Sequence, residues 1–593
     1  MSISNIEKIN NHFKVPISYN NEKIKLNEHI ITDLELLETV DPSGTSMYEH
    51  AFNPKTNFGK KVVEQIPLYY TTDIKHLKES QQLLKNFSLP KEDKEEKEIF
   101  RPDFEHIMEI WDEVKNDTGF KEKYQYIDWP YWEFLNNNDY FLQLLSLYSL
   151  SSPVISFFIP VVILIIPFFV IQMKGIDLSL SEYIEVLKAV ASNHAIGKLF
   201  TKFNSVKLDE KMYLLVSAFF YIFSIYQNIL SCIRFNSNMK KIHSHLSDIK
   251  SYIQYTEKSV NNFLSHSSHL TTFSHFNQTL KENTIILKQF KEQLEKIDPY
   301  NLSIKKVMQF GHILKCFYEL YDNKEYNDAF LYSFGFNGYI DALEGIIGNI
   351  KERNIQFAKF HKFTKKNKKN KKDNAKKNKI TNSYYPALLN NNPICNSIDI
   401  NKNIVVTGPN ASGKTTILKS SLINIILTQQ MGCGFYSSAL LTPYKHIHCY
   451  LNIPDTSGRD SLFQAEARRC KEIIDVIHSD PSENHFCVFD ELYSGTNPDE
   501  AVASASAFMN YLAKFNGVDC LLTTHFFDLC LHLEKNKLFK NYHMETKKDA
   551  EDKSSKKFNY TYLMKKGIST VRGGIKVLED MEYPEEIIIN SSL

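Results

Sequence analysis

The chain has 593 residues, 43% hydrophobic and 13% aromatic, enough for several cores of ordinary domain size, which excludes a disordered protein. Its 70 Lys and Arg balance 69 Asp and Glu, leaving a net charge of +1, so no global field draws it to nucleic acid or an anionic surface. Nine cysteines without a C-x-x-C pair exclude a disulfide-built secreted fold and a zinc finger, and the opening MSISNIEKIN lacks the apolar stretch of a cleaved signal; both point to a reducing compartment.

Two uncharged runs interrupt the polar first half. No charge occurs between Asp139 and Lys174, where residues 153–173 read PVISFFIPVVILIIPFFVIQM, and residues 212–233 read MYLLVSAFFYIFSIYQNILSCI before Arg234. Each reaches the about 20 residues that cross a bilayer core. Trp129, Tyr131, Trp132 and Tyr140 precede the first run as an interfacial aromatic belt does. Two crossings would return the chain to its starting side, with Arg234, Lys240 and Lys241 after the second crossing on the cytosolic side. The connecting residues 174–211 carry six lysines against five acids and do not discriminate. Two arrangements stay open: a membrane hairpin over 151–236, spanning or re-entrant, and a pair of buried helices in a soluble domain. Pro153, Pro160 and Pro167 complicate both, since a proline inside a soluble helix costs about 3 kcal/mol, whereas membrane helices tolerate it better.

From Asn238 to about Phe360 the apolar residues recur at helical spacing, as in HLSDIKSYIQYTEKSVNNFL, which predicts long helices. A tract with 11 lysines between Lys359 and Lys379 follows. Like charges without apolar residues predict a linker over 361–380, acting as a solvated tether or as a phosphate-binding patch.

Short apolar runs then alternate with helical stretches, an α/β pattern. NIVVT at 403–407 predicts a buried strand; it leads into GPNASGKT, which matches G-x-x-x-x-G-K-[ST], and then a helical run. Gly408 and Gly413 let backbone N–H groups turn toward phosphates, with Asn410 and Thr416 in the same cradle. Lys414 is expected to reach the β- and γ-phosphates, and the Thr415 hydroxyl to bind Mg2+. In HFCVFDELYSGTNPDEA a buried strand ends in Asp490, a candidate Mg2+ ligand, and Glu491, a candidate base for the attacking water. A third strand, VDCLL at 518–522, leads into TTHFFDL and sets His525 where it can sense the γ-phosphate.

TGPNASGKTT, DELYSGTNPDEA and TTHFFDL together resemble the MutS family of DNA mismatch repair ATPases, a branch of the ABC ATPases. SGRDSLFQAEARRCKEII, 457–474, resembles that family's signature helix, which implies that Ser461 reaches the γ-phosphate of a partner subunit. The stretch 31–87, with Thr56, Gly59 and Pro67, resembles the start of the family's core and lever domain, and DALEGIIGNIKERN near 341–354 its returning helix. The resemblance begins at the family's third domain, which implies a form lacking the N-terminal mismatch-recognition domains. Where family members often place an aromatic against adenine, this chain has Pro393 and Ile394.

The expected fold is multidomain α and α/β. A helical core and lever occupies 1–150 and 237–360, interrupted by the apolar hairpin at 151–236, and the linker joins it to an ABC-type P-loop α/β ATPase domain at 381–593. The resemblance implies hydrolysis of ATP with Mg2+ by a homodimer, or with a MutS-like paralogue, coupled to movement of the levers. DNA, bound nonspecifically or by its structure, and a membrane are the expected further partners. The alternatives are a soluble DNA-binding ATPase with its apolar runs buried and a nucleotide-gated membrane scaffold.

Overall fold

The structure is a computed structural model that describes all residues except 1–4, 89–100, 117, 176–178, 194–197, 199–206, 302, 362–377, 401–402, 452–460, 549–557, 572–577, 579–580 and 591–593. The chain forms two compact units: Met1–Glu92 with Lys258–Asn283 and Leu331–Leu593, and Asp93–Glu257 with Thr284–Phe330.

The Asp93–Phe330 unit is helical. Both apolar runs lie inside longer helices, Asp139–Met173 (α1) and Leu208–Ser267 (α2). α1 starts well before the apolar segment 153–173, and Asp139 in its first turn suits the positive end of the helix dipole. Its opening turns pack on Phe310–Asp322 (α3), where Gly311 matters: a Cβ there would lie 2.3 Å from the Asp139 carbonyl. Trp111, Phe120, Phe317 and Phe330 fill this unit's core, with Phe120 stacked on Tyr321 at 4.1 Å.

In the other unit, Asp341 of helix Lys324–Lys351 (α4) joins the two upstream stretches that sequence reading had singled out separately. Its Oδ2 accepts from the N–H groups of Lys55 and Thr56 at 2.9 and 2.8 Å and from the Thr56 hydroxyl at 2.9 Å. A Cβ at Gly59 would stand 2.2 Å from that same oxygen, so only glycine fits beside it. Each hydrogen bond to such a charged acceptor contributes about 1.5–3 kcal/mol. The predicted helical region ends earlier than expected. α4 stops at Lys351, Arg353 turns left-handed with φ 67°, and Gln356–Phe360 is a strand that pairs in parallel with Ser438–Leu441. The sheet edge supplied by residues far along the chain overrides the local periodicity. Most of the predicted linker 361–380 lies outside the described residues, and its last two positions already belong to the strand Lys379–Ser383.

The nucleotide-binding half is built on a six-stranded sheet. Its strands are Asn403–Thr407 (β1), His446–Tyr450 (β2), His485–Asp490 (β3), Val518–Thr524 (β4), Phe539–Lys548 (β5) and Phe558–Lys566 (β6). Their order is β6-β5-β1-β4-β3-β2, all neighbours parallel except the β5-β6 hairpin. β1 is buried at every position, as a strand covered on both faces must be. The following helix, Lys414–Met431 (α5), is buried almost all round, which its apolar sequence allows. The polar end of α5 is satisfied: Gln430 donates to the carbonyls of Ile66 and Tyr69, and Gln429 to that of Tyr444. One hydrophobic core contains Leu418, Leu422 and Ile426 of α5 together with Val260 and Phe263 of α2 and Leu343 of α4. All nine cysteines are free, seven of them buried.

Candidate nucleotide site

The glycine loop between β1 and α5 is shaped by two backbone requirements. Gly413 caps α5 with φ 94°, a conformation that costs an L residue about 1–2 kcal/mol. At Gly408 a Cβ would meet the Ser412 hydroxyl at 2.7 Å, and that hydroxyl donates to the Pro409 carbonyl at 2.7 Å. The first turn of α5 then presents Lys414, Thr415 and Thr416. Lys414 is buried; its Nζ donates to the Gly408 and Pro409 carbonyls at 3.0 and 3.2 Å and to Asn410 Oδ1 at 3.4 Å.

Because β4 separates β1 from β3 in the sheet, the acidic end of β3 reaches the loop beside the end of β4. Asp490 Oδ2 accepts from the Thr415 hydroxyl at 2.8 Å, and its other oxygen accepts from the Thr523 hydroxyl on β4. Glu491 sits in the left-handed region with φ 47°, its N–H donating to the Thr523 carbonyl at 3.1 Å, so its side chain turns away from the strand line. Glu491 Oε1 lies 3.5 Å from Lys414 Nζ and 3.6 Å from His525 Nδ1, ion-pair distances rather than good hydrogen bonds. The His525 ring is the largest influence holding the Glu491 carboxyl below its ordinary range; burial opposes it and Lys414 adds to it. Burial pulls the Lys414 ammonium down, with Glu491 and Asp490 opposing. Five of the residues selected from sequence, Lys414, Thr415, Asp490, Glu491 and His525, therefore share one site.

Ser461 does not join them directly. It is the N-cap of helix Leu462–Ser479 (α6), its hydroxyl accepting from the Gln464 N–H at 3.3 Å while the Gln464 side chain accepts from the Ser461 N–H at 2.9 Å. Residues 457–460 of the same stretch lie outside the described residues. Sequence reading missed Glu466, one turn further along α6. Glu466 is 2% exposed and accepts from the Ser494 N–H and hydroxyl at 3.0 and 3.1 Å and from the Gly495 N–H at 3.2 Å. It ties α6 to the loop that follows Glu491. Gly495 also permits this approach, since a Cβ there would be 2.7 Å from Leu462 Cγ.

Beside the loop opens a cavity of about 420 Å³, lined by Tyr385, Leu388, Pro393 and Ile394 on one side and by Gly413, Thr416, Ser420 and Tyr562 on the other. Pro393 and Ile394 stand there as the sequence suggested, but Tyr385 and Tyr562 bring aromatic rings the motif comparison did not find. Tyr562, on β6, adopts φ 55°. The buried Ser420 hydroxyl has no hydrogen-bond partner among the described residues.

Strand, glycine loop, helix and the acidic end of a strand in the same sheet define a phosphate-loop nucleotide-binding domain. The sequence model of MutS domain V matches residues 404–592, the span that holds this site, and this match supports membership of the MutS family. Endonuclease MutS2 of Staphylococcus epidermidis is 26% identical over 154 residues, 25% of this chain and 19% of that protein. DNA mismatch repair protein MutS of Persephonella marina is 26% identical over 216 residues, 35% of this chain and 24% of that protein. The same-named protein of Bacillus licheniformis is 29% identical over 188 residues, 31% and 20%. The chain thus spans about a fifth to a quarter of the length of the curated relatives it matches.

Proposed function

We propose that the chain binds ATP with Mg2+ and hydrolyses it at this site. The observation that carries the reading is the convergence of Lys414, Thr415, Asp490 and Glu491, from two separate stretches, within 3.5 Å contacts of one another. Backbone N–H groups of the loop and the N-terminus of α5 receive the phosphates, and Lys414 adds a fixed positive charge. Thr415 and Asp490 offer adjacent hard oxygens that fit Mg2+, which when bound neutralises phosphate charge. Glu491, held ionised by His525 and Lys414, takes the proton of the attacking water. Base and ribose occupy the neighbouring cavity, with Tyr385 and Tyr562 offering ring faces and Ser420 an unmatched hydroxyl.

By family, the working form is a dimer, of two copies or with a MutS-like paralogue, in which Ser461 at the start of α6 serves the site of the partner subunit. ATP-driven rearrangement would reach α2 and α4 through the core they share with α5. DNA is the proposed macromolecular partner, supported by the names of the relatives; contacts to phosphates would make its binding fall steeply with salt. Turnover and nucleotide binding test the site. Lys414→Ala is expected to abolish binding, whereas Glu491→Gln keeps binding and loses turnover about 100-fold or more. Normal turnover in Glu491→Gln would remove the assignment of the base.

A further inference from the structure

The helices α1 and α2 change character at the same height. On α1 one face, Leu142, Ser146, Ser149 and Ser152, is buried while Leu144 and Tyr148 on the other are exposed; from Val154 on, none of the described residues of α1 is buried, and Val154, Ile155, Phe157 and Phe158 are exposed. On the antiparallel α2, Phe235, Met239 and Ile242 are buried, whereas Ile229, Ile233 and most of the large apolar residues before them, Phe219, Phe220, Ile222 and Phe223 among them, are exposed, with Leu214 buried near the far end. Contacts between the helices align the two boundaries. Cys232 Sγ lies 3.6 Å from the Leu150 carbonyl, and Asn228 donates to the Ser156 hydroxyl at 2.5 Å.

Beyond that level each helix continues without a charge, over 154–173 and 212–233, each roughly 30 Å at 1.5 Å per residue. That is the thickness of a bilayer's hydrocarbon core. Lys174 and Lys211 close the far ends, and Arg234 the near end of α2. The backbone inside this stretch is adapted to a place without water. Pro153 and Pro160 have no N–H for the carbonyls of Ser149 and Ser156; the Ser152 hydroxyl donates to the first at 3.1 Å, and the Tyr221 hydroxyl, from the other helix, is shared between the second at 3.3 Å and the adjacent Phe157 carbonyl at 3.2 Å. The exposed apolar positions cover roughly half of each helix circumference or more, wider than the ~100° stripe that one packed neighbour takes. Trp129 and Tyr131, 69% and 86% exposed in the same unit, are the amphipathic rings that favour a membrane–water interface.

We propose that α1 from Val154 and α2 up to Ile233 enter a lipid bilayer as one pre-packed hairpin. Lipid chains cover its outer faces, and Tyr221, Asn228 and Ser152 satisfy the polar groups along its seam. The described helix between α1 and α2, Leu180–Asn193, then lies across the membrane from both flanking parts of the chain, so the nucleotide site stays on the side where the chain starts. The inference stands independently of the nucleotide chemistry.

The test uses the full chain carrying an epitope inserted at Ser192, reconstituted from detergent into phosphatidylcholine vesicles. The expected result is flotation with the vesicles, resistance to carbonate at high pH, and an epitope cut by added protease only after detergent in those molecules whose nucleotide domain faces outward. Carbonate release would overturn integral insertion. Cutting of the epitope in intact vesicles, on molecules whose nucleotide domain is also cut, would overturn the crossing. A dimer that stays soluble without detergent and does not float would assign the apolar face to a second copy instead. Tyr221→Phe gives a finer reading: with the Ser156 carbonyl left unmatched, its carbonate-resistant fraction is expected to fall at least twofold, and an unchanged fraction would overturn the role of the seam.

Discussion

Replacing Glu466 with alanine should uncouple the catalytic loop from α6. In the structure this buried carboxylate accepts three hydrogen bonds, two through Oε1 from Ser494 and one through Oε2 from Gly495. Hydrogen bonds to a charged acceptor contribute about 1.5–3 kcal/mol each, but Ser494 is exposed, so water repays much of the loss. A net cost of ~2–4 kcal/mol to the ordered loop follows. Because Glu491 is only three residues before Ser494, disorder in the loop reads out as lost catalysis, at tenfold per ~1.4 kcal/mol, or about 30- to 1000-fold in turnover. Glu466→Gln keeps the Oε1 contacts and loses the one to Gly495, so it should cost only ~1 kcal/mol and about fivefold. The assay is steady-state ATP hydrolysis beside equilibrium binding of a fluorescent nucleotide, which should be nearly unchanged because no contact to the glycine loop is removed. Turnover within twofold of the wild type in Glu466→Ala would refute the argument, as would a parallel loss of nucleotide binding.

Gly413→Ala should weaken nucleotide binding about tenfold and lower thermal stability by ~1–2 kcal/mol, because φ 94° is left-handed and the new Cβ would press on Tyr562 Cδ1 at 3.2 Å; wild-type affinity by calorimetry would contradict this. Tyr562→Ala should raise the dissociation constant for ATP about fivefold while sparing tripolyphosphate, the loss of ~1 kcal/mol of stacking, and equal losses for both ligands would remove the base from the cavity. Stability should also fall with acid through His448, whose pKa burial lowers from 6.5 to about 3, with His485 and His446 adding to the effect. Above pH 6.5 the ring is neutral in both states. As pH drops below 6.5 the unfolded chain takes up a proton that the folded chain refuses until about 3, a loss of up to ~1.4 kcal/mol per pH unit in that window. His448→Phe should flatten this part of the profile in urea denaturation, and an unchanged slope would refute it.

Much of the nucleotide domain was readable because its chemistry is local. In GPNASGKT the glycines, the lysine and the threonine are neighbours in sequence, and the loop geometry they need is set by backbone dihedrals within eight residues. The strands expected at 403–407 and 518–522 occur as Asn403–Thr407 and Val518–Thr524, since unbroken apolar runs ending in a motif loop leave few other arrangements. The site's acids were legible for the same reason: Asp490 and Glu491 stand at a strand end.

What escaped the sequence depends on contacts between distant positions. Glu466 looks like one more charge on an amphipathic helix until packing sets it against Ser494, and Tyr562 reaches the cavity only because β6 pairs with β5 beside β1. The strand Gln356–Phe360 continues a helical periodicity and becomes a strand because Ser438–Leu441 offers it a free edge. Composition alone showed that residues 153–173 and 212–233 are apolar and long enough to cross a bilayer. Only the tertiary structure aligned their boundaries and carried the Tyr221 hydroxyl to the carbonyl that Pro160 leaves unpaired. The difference is physical: propensity, charge and loop dihedrals act over a few residues and are written in order along the chain. A hydrogen bond between residues far apart exists only once the core has closed around them.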